Sequence, residues 1–208
     1  MKAFLAGLIL GLLALPVAAA CYFHLGHPPV AVADPPFPFE KQIVHMPLHA
    51  RIHAEMPKSA PIEASVTNLE AGAHIYRQQC AACHGLYGRP ASFAKSMYPH
   101  APQLWAPHGD GNVGVSDDPP GETYWKVANG IRLTGMPAFG KVLNETQMWQ
   151  VSLLLANANN PLPASALDLL KQPLDLDPVN LAPPAANAPP QKITDLSAMP
   201  SPLPPDQQ

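Results

Sequence analysis

The chain has 208 residues, enough for one domain with room for flanking segments. Its formal net charge is only -3 and no long basic run is present, which argues against nucleic acid as a partner. Charged residues make up 13%, about half the usual share of a soluble domain, and the 28 prolines gather outside the middle of the chain. That distribution predicts one compact core between extended flanks. The cysteine count of three, Cys21, Cys80 and Cys83, gives no disulfide framework.

Residues 1–23 begin with Lys2 and then run uncharged from Ala3 to Phe23. At about 1.5 Å rise per residue, that stretch is long enough as a helix to cross a hydrocarbon core of roughly 30 Å. It reads equally as a signal peptide, since Ala18-Ala19-Ala20 offers a small-residue cleavage site. Cys21 directly after that site adds a third reading, a lipidated N-terminus, although Ala18 stands where such signals usually carry Leu. All three readings send the body of the protein across the membrane. Two of them leave it tethered.

Residues 24–66 read as a Pro-rich spacer that lifts the next segment off the membrane, because Pro28-Pro29 and Pro35-Pro36-Phe37-Pro38 favour extended backbone. Within it His45, His49 and His53 recur at four-residue spacing, one face of a helix. A metal site and a solvated or partner-docking face are both compatible with that spacing, and Pro47 is expected to interrupt any helix.

Residues 67–160 carry the globular pattern. Asn68 is placed as an N-cap for a helix through Cys83. Gly- and Pro-rich loops fill 85 to 120. A second helix opens at Gly121-Glu122-Thr123 and ends near Gly130. Asn144 caps a third, Glu145 to about Asn157, with Trp149, Leu153 and Ala156 along one side. Six basic and six acidic residues leave this region locally neutral. Residues 161–208 hold 12 of the prolines and are expected to be a disordered Pro/Ala-rich tail, with at most a helical turn at Leu167 to Leu170.

Cys80-Ala81-Ala82-Cys83-His84 is the attachment sequence of haem c. Two thiols three residues apart reach the two vinyl groups of one porphyrin, and the next residue, His84, falls under the iron as an axial ligand. A redox dithiol and half a zinc site share the CxxC. The following histidine, the export signal and the lack of a second cysteine pair argue against both. For the sixth iron position the candidates are Met97, Met136, Met148, His100 and His108. Met136 is the best placed, in Thr134-Gly135-Met136-Pro137-Ala138-Phe139 between two expected helices. Pro137 stiffens that loop and Gly135 allows close approach.

With these residues in view, Leu69 to Asn157 resembles a class I c-type cytochrome domain. Gly72 and Tyr76 match the glycine and aromatic that the family carries eight and four residues before its first haem cysteine, where two helices cross. Trp149 and Leu153 match the opposing side. The resemblance implies an all-α fold of a few helices around one covalent haem. It implies that the Pro102 carbonyl accepts the ring N–H of His84. Leu104 would pack on the proximal haem face, and Trp125 and Phe139 would line the pocket. The stretch His108 to Pro120 is longer and more polar than in compact carriers.

The function expected from this is electron transfer by a single haem c with His84/Met136 ligation and no catalysis by the chain itself. Its partners would be membrane or periplasmic redox proteins. The location would be the inner membrane, with the haem domain in the periplasm. The competing reading is a haem subunit of an oxidoreductase complex, or a ligand-binding haem protein with a labile sixth site. No Gly-rich dinucleotide loop or second CxxCH supports an enzyme. A third reading, an assembly role with the histidine-bearing spacer handling copper, would require metal beyond iron.

Overall fold

The structure, a computed structural model, describes residues 1–109 and 111–174. The described chain is helical: α1 (Lys2–Leu25), α2 (Glu40–Glu55), α3 (Val66–Gln79), α4 (Ala81–His84), α5 (Pro120–Asn129), α6 (Glu145–Ala156) and α7 (Ala164–Lys171). A 3-10 turn spans Ser92–Ser96, and two short strands, β1 (Pro107–His108) and β2 (Asn112–Val113), pair antiparallel.

The core is a crossing of α3 and α6. Gly72 lies at the crossing, where a Cβ would stand 2.4 Å from the Gln150 carbonyl oxygen and 3.1 Å from the Leu154 Cβ. The facing residues are therefore Gln150 and Leu154, one position beyond the expected Trp149 and Leu153. Trp149 turns instead to α5 and stacks on Tyr124, ring centroids 4.3 Å apart. Because α6 is gripped by α3 on one side and α5 on the other, Met148, Trp149 and every residue from Val151 to Leu155 are buried. Its start is fixed by a reciprocal cap, in which Asn144 Oδ1 accepts from the Gln147 amide and Gln147 Oε1 from the Asn144 amide, both at 2.9 Å. Replacing Gly72 with Ala should cost about 2 kcal/mol in denaturant unfolding. Overpacking against a backbone carbonyl costs roughly 1–3 kcal/mol and outweighs the roughly 0.5–1 kcal/mol that Ala returns in helix propensity.

Three expectations are corrected. The first helix is capped by Ser65, whose Oγ accepts from the Asn68 amide, and it stops at Gln79. Cys80 breaks the geometry and a separate turn, α4, follows.

Residues 40–55 of the expected spacer form a continuous helix in spite of Pro47. Pro47 is exposed, so its ring displaces nothing from the domain. The helix is held by burial of Ile52 and by Trp125 on α5, whose Nε1 donates to Glu55 Oε2 at 2.9 Å. Gly121 is needed there, since a Cβ would fall 1.9 Å from the Pro57 carbonyl oxygen.

The expected tail begins with α7, eight residues packed on α3 with Ala166 and Leu170 fully buried. Arg77 fixes its end, donating at 2.6 Å to the carbonyls of both Leu169 and Gln172. The remaining tail, 175–208, lies outside the described residues.

Trp125→Phe removes the bond to Glu55 and should speed amide hydrogen exchange over Ile52–Met56 while leaving α3 and α6 protected. The Trp125 bond, with help from Arg51, holds the Glu55 carboxyl below its ordinary range. A depressed folded-state value stabilises α2 docking above the ordinary carboxylate pKa. That stabilisation is lost as pH falls through the depressed one. Protection factors over α2, exchange rates corrected for the intrinsic pH dependence, should therefore fall in acid in the native protein and change less with pH in Trp125→Phe.

Candidate haem site

The CxxCH turn is positioned by α3 above it and by the loop 101–105 beside it. Tyr76, fully buried, donates its hydroxyl to the Gly85 carbonyl at 2.7 Å, and its ring meets Trp105 edge-on at 5.6 Å. Burial pushes the Tyr76 phenol well above its ordinary pKa. Gly85 leaves α4 at φ +76, in the left-handed region, where a Cβ would strike the Gln103 side chain and the Arg89 carbonyl. Gln103 braces the same turn, donating to the Cys83 carbonyl at 3.2 Å and accepting from the Ala91 amide at 2.7 Å.

Cys80, Cys83 and His84 share one wall of an apolar cleft of about 210 Å³, partly open to solvent. Both thiols are free. Burial, followed by the neighbouring Cys83, pushes the Cys80 thiol up to about 12. His84 Nδ1 lies 2.7 Å from the Pro102 carbonyl oxygen. A carbonyl only accepts, so Nδ1 carries the proton and Nε2 is the ring nitrogen left free. Desolvation lowers the His84 pKa, partly opposed by the Pro102 bond, and the neutral ring is favoured.

The same cleft is lined by Met136 and Phe139, on a loop tied back at both ends. The Met136 amide donates to Thr134 Oγ1 at 3.1 Å, and the Met136 carbonyl accepts from the Ile131 amide at 3.2 Å. The Phe139 amide reaches the Val127 carbonyl at 2.9 Å. Gly130, at φ +65, permits this fold-back: a Cβ would meet the backbone of Met136 to Ala138 at 2.7–2.9 Å. Gly135 also lines the cleft and leaves space beside it. A Cβ there would meet the Met97 methyl at 2.5 Å, so it makes room for Met97.

The structure brings Cys80, Cys83, His84, Pro102, Leu104, Met136 and Phe139 to this one cleft. Trp125 is not among its lining residues. The α5 side chains that line the cleft are Thr123, Lys126 and Val127, and Trp125 turns to α2. At 100° per residue, positions 123, 126 and 127 share a face and 125 does not. That periodicity was readable without coordinates. Of the other sixth-position candidates, Met97 and His100 also line the cleft. Met148 is core, and His108 is exposed with Nε2 at 2.5 Å from the Gly114 carbonyl.

The arrangement suits haem c: two free thiols, a histidine with one nitrogen engaged and a thioether all line one largely apolar cleft. Residues 67–153 match the family model described as "Cytochrome C oxidase, cbb3-type, subunit III". This segment is a class I c-type cytochrome domain, and its cofactor is covalently bound haem c with iron. No curated protein and no solved structure matches the chain.

Proposed function

We propose that this protein is a membrane-held electron carrier whose haem is attached through Cys80 and Cys83 and ligated axially by His84 and Met136. The single observation that supports the ligand assignment is the shared cleft, whose lining includes both His84 and the braced Met136 loop. Haem bound there supplies a one-electron ferrous/ferric couple.

The protein's residues set the conditions for that couple. Pro102 holds the His84 ring in one tautomer with Nε2 free. Thr134 and Ile131 hold Met136 in place without cost at each redox turnover. Leu104, Val127, Phe139, Val151 and Leu155 keep water from the cleft, which favours the less charged reduced state. Electrons exchange with membrane or periplasmic redox partners at the open side.

We assign α1, a 24-residue helix whose most apolar 18-residue stretch has a mean hydropathy of 2.4, as an inner-membrane anchor with the haem domain in the periplasm. The wording of the matching family model favours one further reading, in which the chain serves as the haem subunit of a membrane oxidase complex.

The test is an optical titration of the holoprotein with carbon monoxide. A ferrous low-spin spectrum indifferent to carbon monoxide, with a ferric sulfur-to-iron charge-transfer band, is expected. Rapid carbon monoxide binding by the ferrous form would overturn closed His84/Met136 ligation.

A further inference from the structure

We propose that α2 is a membrane-surface strap: one face grips the haem domain and the opposite face lies in the lipid headgroup region. The proposal rests on the reading of α1 as an anchor.

The inner face of α2 is Leu48, Ile52 and Glu55, which pack against or bond to the domain. Turned away from it, at 100° per residue, are Ile43, Met46, Ala50, His53 and Ala54, with Pro47 at their margin. All of these are exposed, Ile43 at 57% and Met46 at 68%, and His53 is the one polar residue among them. A helix apolar on both sides needs a second apolar neighbour.

The occupant is indicated by where α2 begins. The 14 residues between α1 and α2 could reach about 46 Å if extended. They turn back instead. Asp34 Oδ2 accepts from the amides of Val30 and Ala31 at 2.8 Å, which closes a turn. Phe37 then packs edge-on against Tyr22 in the last turns of α1, centroids 6.2 Å apart. Tyr22, Phe23 and Phe37 make the kind of aromatic cluster that settles at a membrane–water boundary. The first residue of α2 is thus held close to the end of the anchor, at the level where the membrane–water boundary would fall. A helix lying at that level buries its apolar side at the headgroup boundary. His45 and His49 stand between the two faces, and His53 falls beside Met46 on the margin of the outer one.

The consequence is orientation. Tyr98, on the loop that supplies Met97, Pro99 and His100 to the cleft, lies next to Glu40 at the start of α2. The cleft would be carried at a fixed attitude close to the bilayer, suited to a partner in the same membrane.

The test uses full-length holoprotein in lipid nanodiscs of phosphatidylethanolamine and phosphatidylglycerol. In a Cys21→Ser background, a spin label is placed at Met46→Cys, with a control at His74→Cys on the exposed side of α3. Relaxation by oxygen and by a nickel chelate is compared. The expected result is a label at 46 several-fold more accessible to oxygen than to the chelate, and the reverse at 74. A label at 46 that behaves like the one at 74, in protein retained by the disc, overturns the strap alone. A label shielded from both reagents means that protein covers the face, and it overturns lipid as the occupant. Protein that elutes free of the disc overturns the anchor reading and the strap with it.

Discussion

Replacing His84 with Ala is expected to abolish stable haem loading, even though Cys80 and Cys83 remain. His84 ends the α4 turn that brings both thiols to the cleft, and its ring is already oriented by the Pro102 carbonyl. Disturbing a partner of a metal ligand typically costs 10–100-fold in affinity, and loss of the ligand removes more. Haem loading of the exported protein should therefore fall by more than about tenfold. Covalent haem staining per mole of protein, with the absorption spectrum alongside, gives the measure. Normal loading with a native-like spectrum would end the assignment of His84 as a ligand. Pro102→Ala is the informative companion, because it keeps the carbonyl and should load nearly normally.

The haem site was legible in the sequence to the extent that covalent chemistry dictates spacing. CxxCH encodes the distance between two vinyl groups and an iron, and no packing choice elsewhere alters it. The place of Met136 on the cleft was legible for a related reason, since a rigid Pro-flanked loop between two helices is visible in residue types alone. Asn144 and Gln147 announced the start of α6 through a local cap. The face of α6 was misjudged by one residue, because nearly every side of that helix is buried and the pattern loses its direction.

What the sequence hid was the packing of short helices embedded in Pro-rich surroundings. Neither α2 nor α7 has the length or uniform periodicity to stand alone, and each is stabilised by tertiary contacts made with distant residues. For α2 these are Ile52 and the Trp125–Glu55 bond. For α7 they are Leu170 and the Arg77 clamp. Trp125 shows the same limit from the other side. An aromatic next to a haem motif suggests a pocket wall, and only the presence of α2 explains why this one faces away.

Replacing Met136 with Ala is expected to leave the haem attached and to change what it does. Attachment depends on Cys80 just before α4 and on Cys83 and His84 within it, none of which bonds to the Met136 side chain. The loop itself should persist, because its bracing runs through the backbone and Thr134: the Ile131 amide to the Met136 carbonyl, the Phe139 amide to the Val127 carbonyl, and Thr134 Oγ1. Removal of the thioether takes away a ligand that favours the reduced state, so the reduction potential should fall. The shift is expected to be an appreciable part of the roughly 0.8 V that axial-ligand identity spans. The charge-transfer band should vanish, and carbon monoxide should bind the ferrous form within mixing time. Met97 provides the internal check, since it lines the same cleft and its methyl lies against Gly135. If Met136→Ala still excludes carbon monoxide while Met97→Ala admits it, the sulfur ligand is Met97 and the assignment is reversed. If both single variants exclude it, neither methionine closes the site.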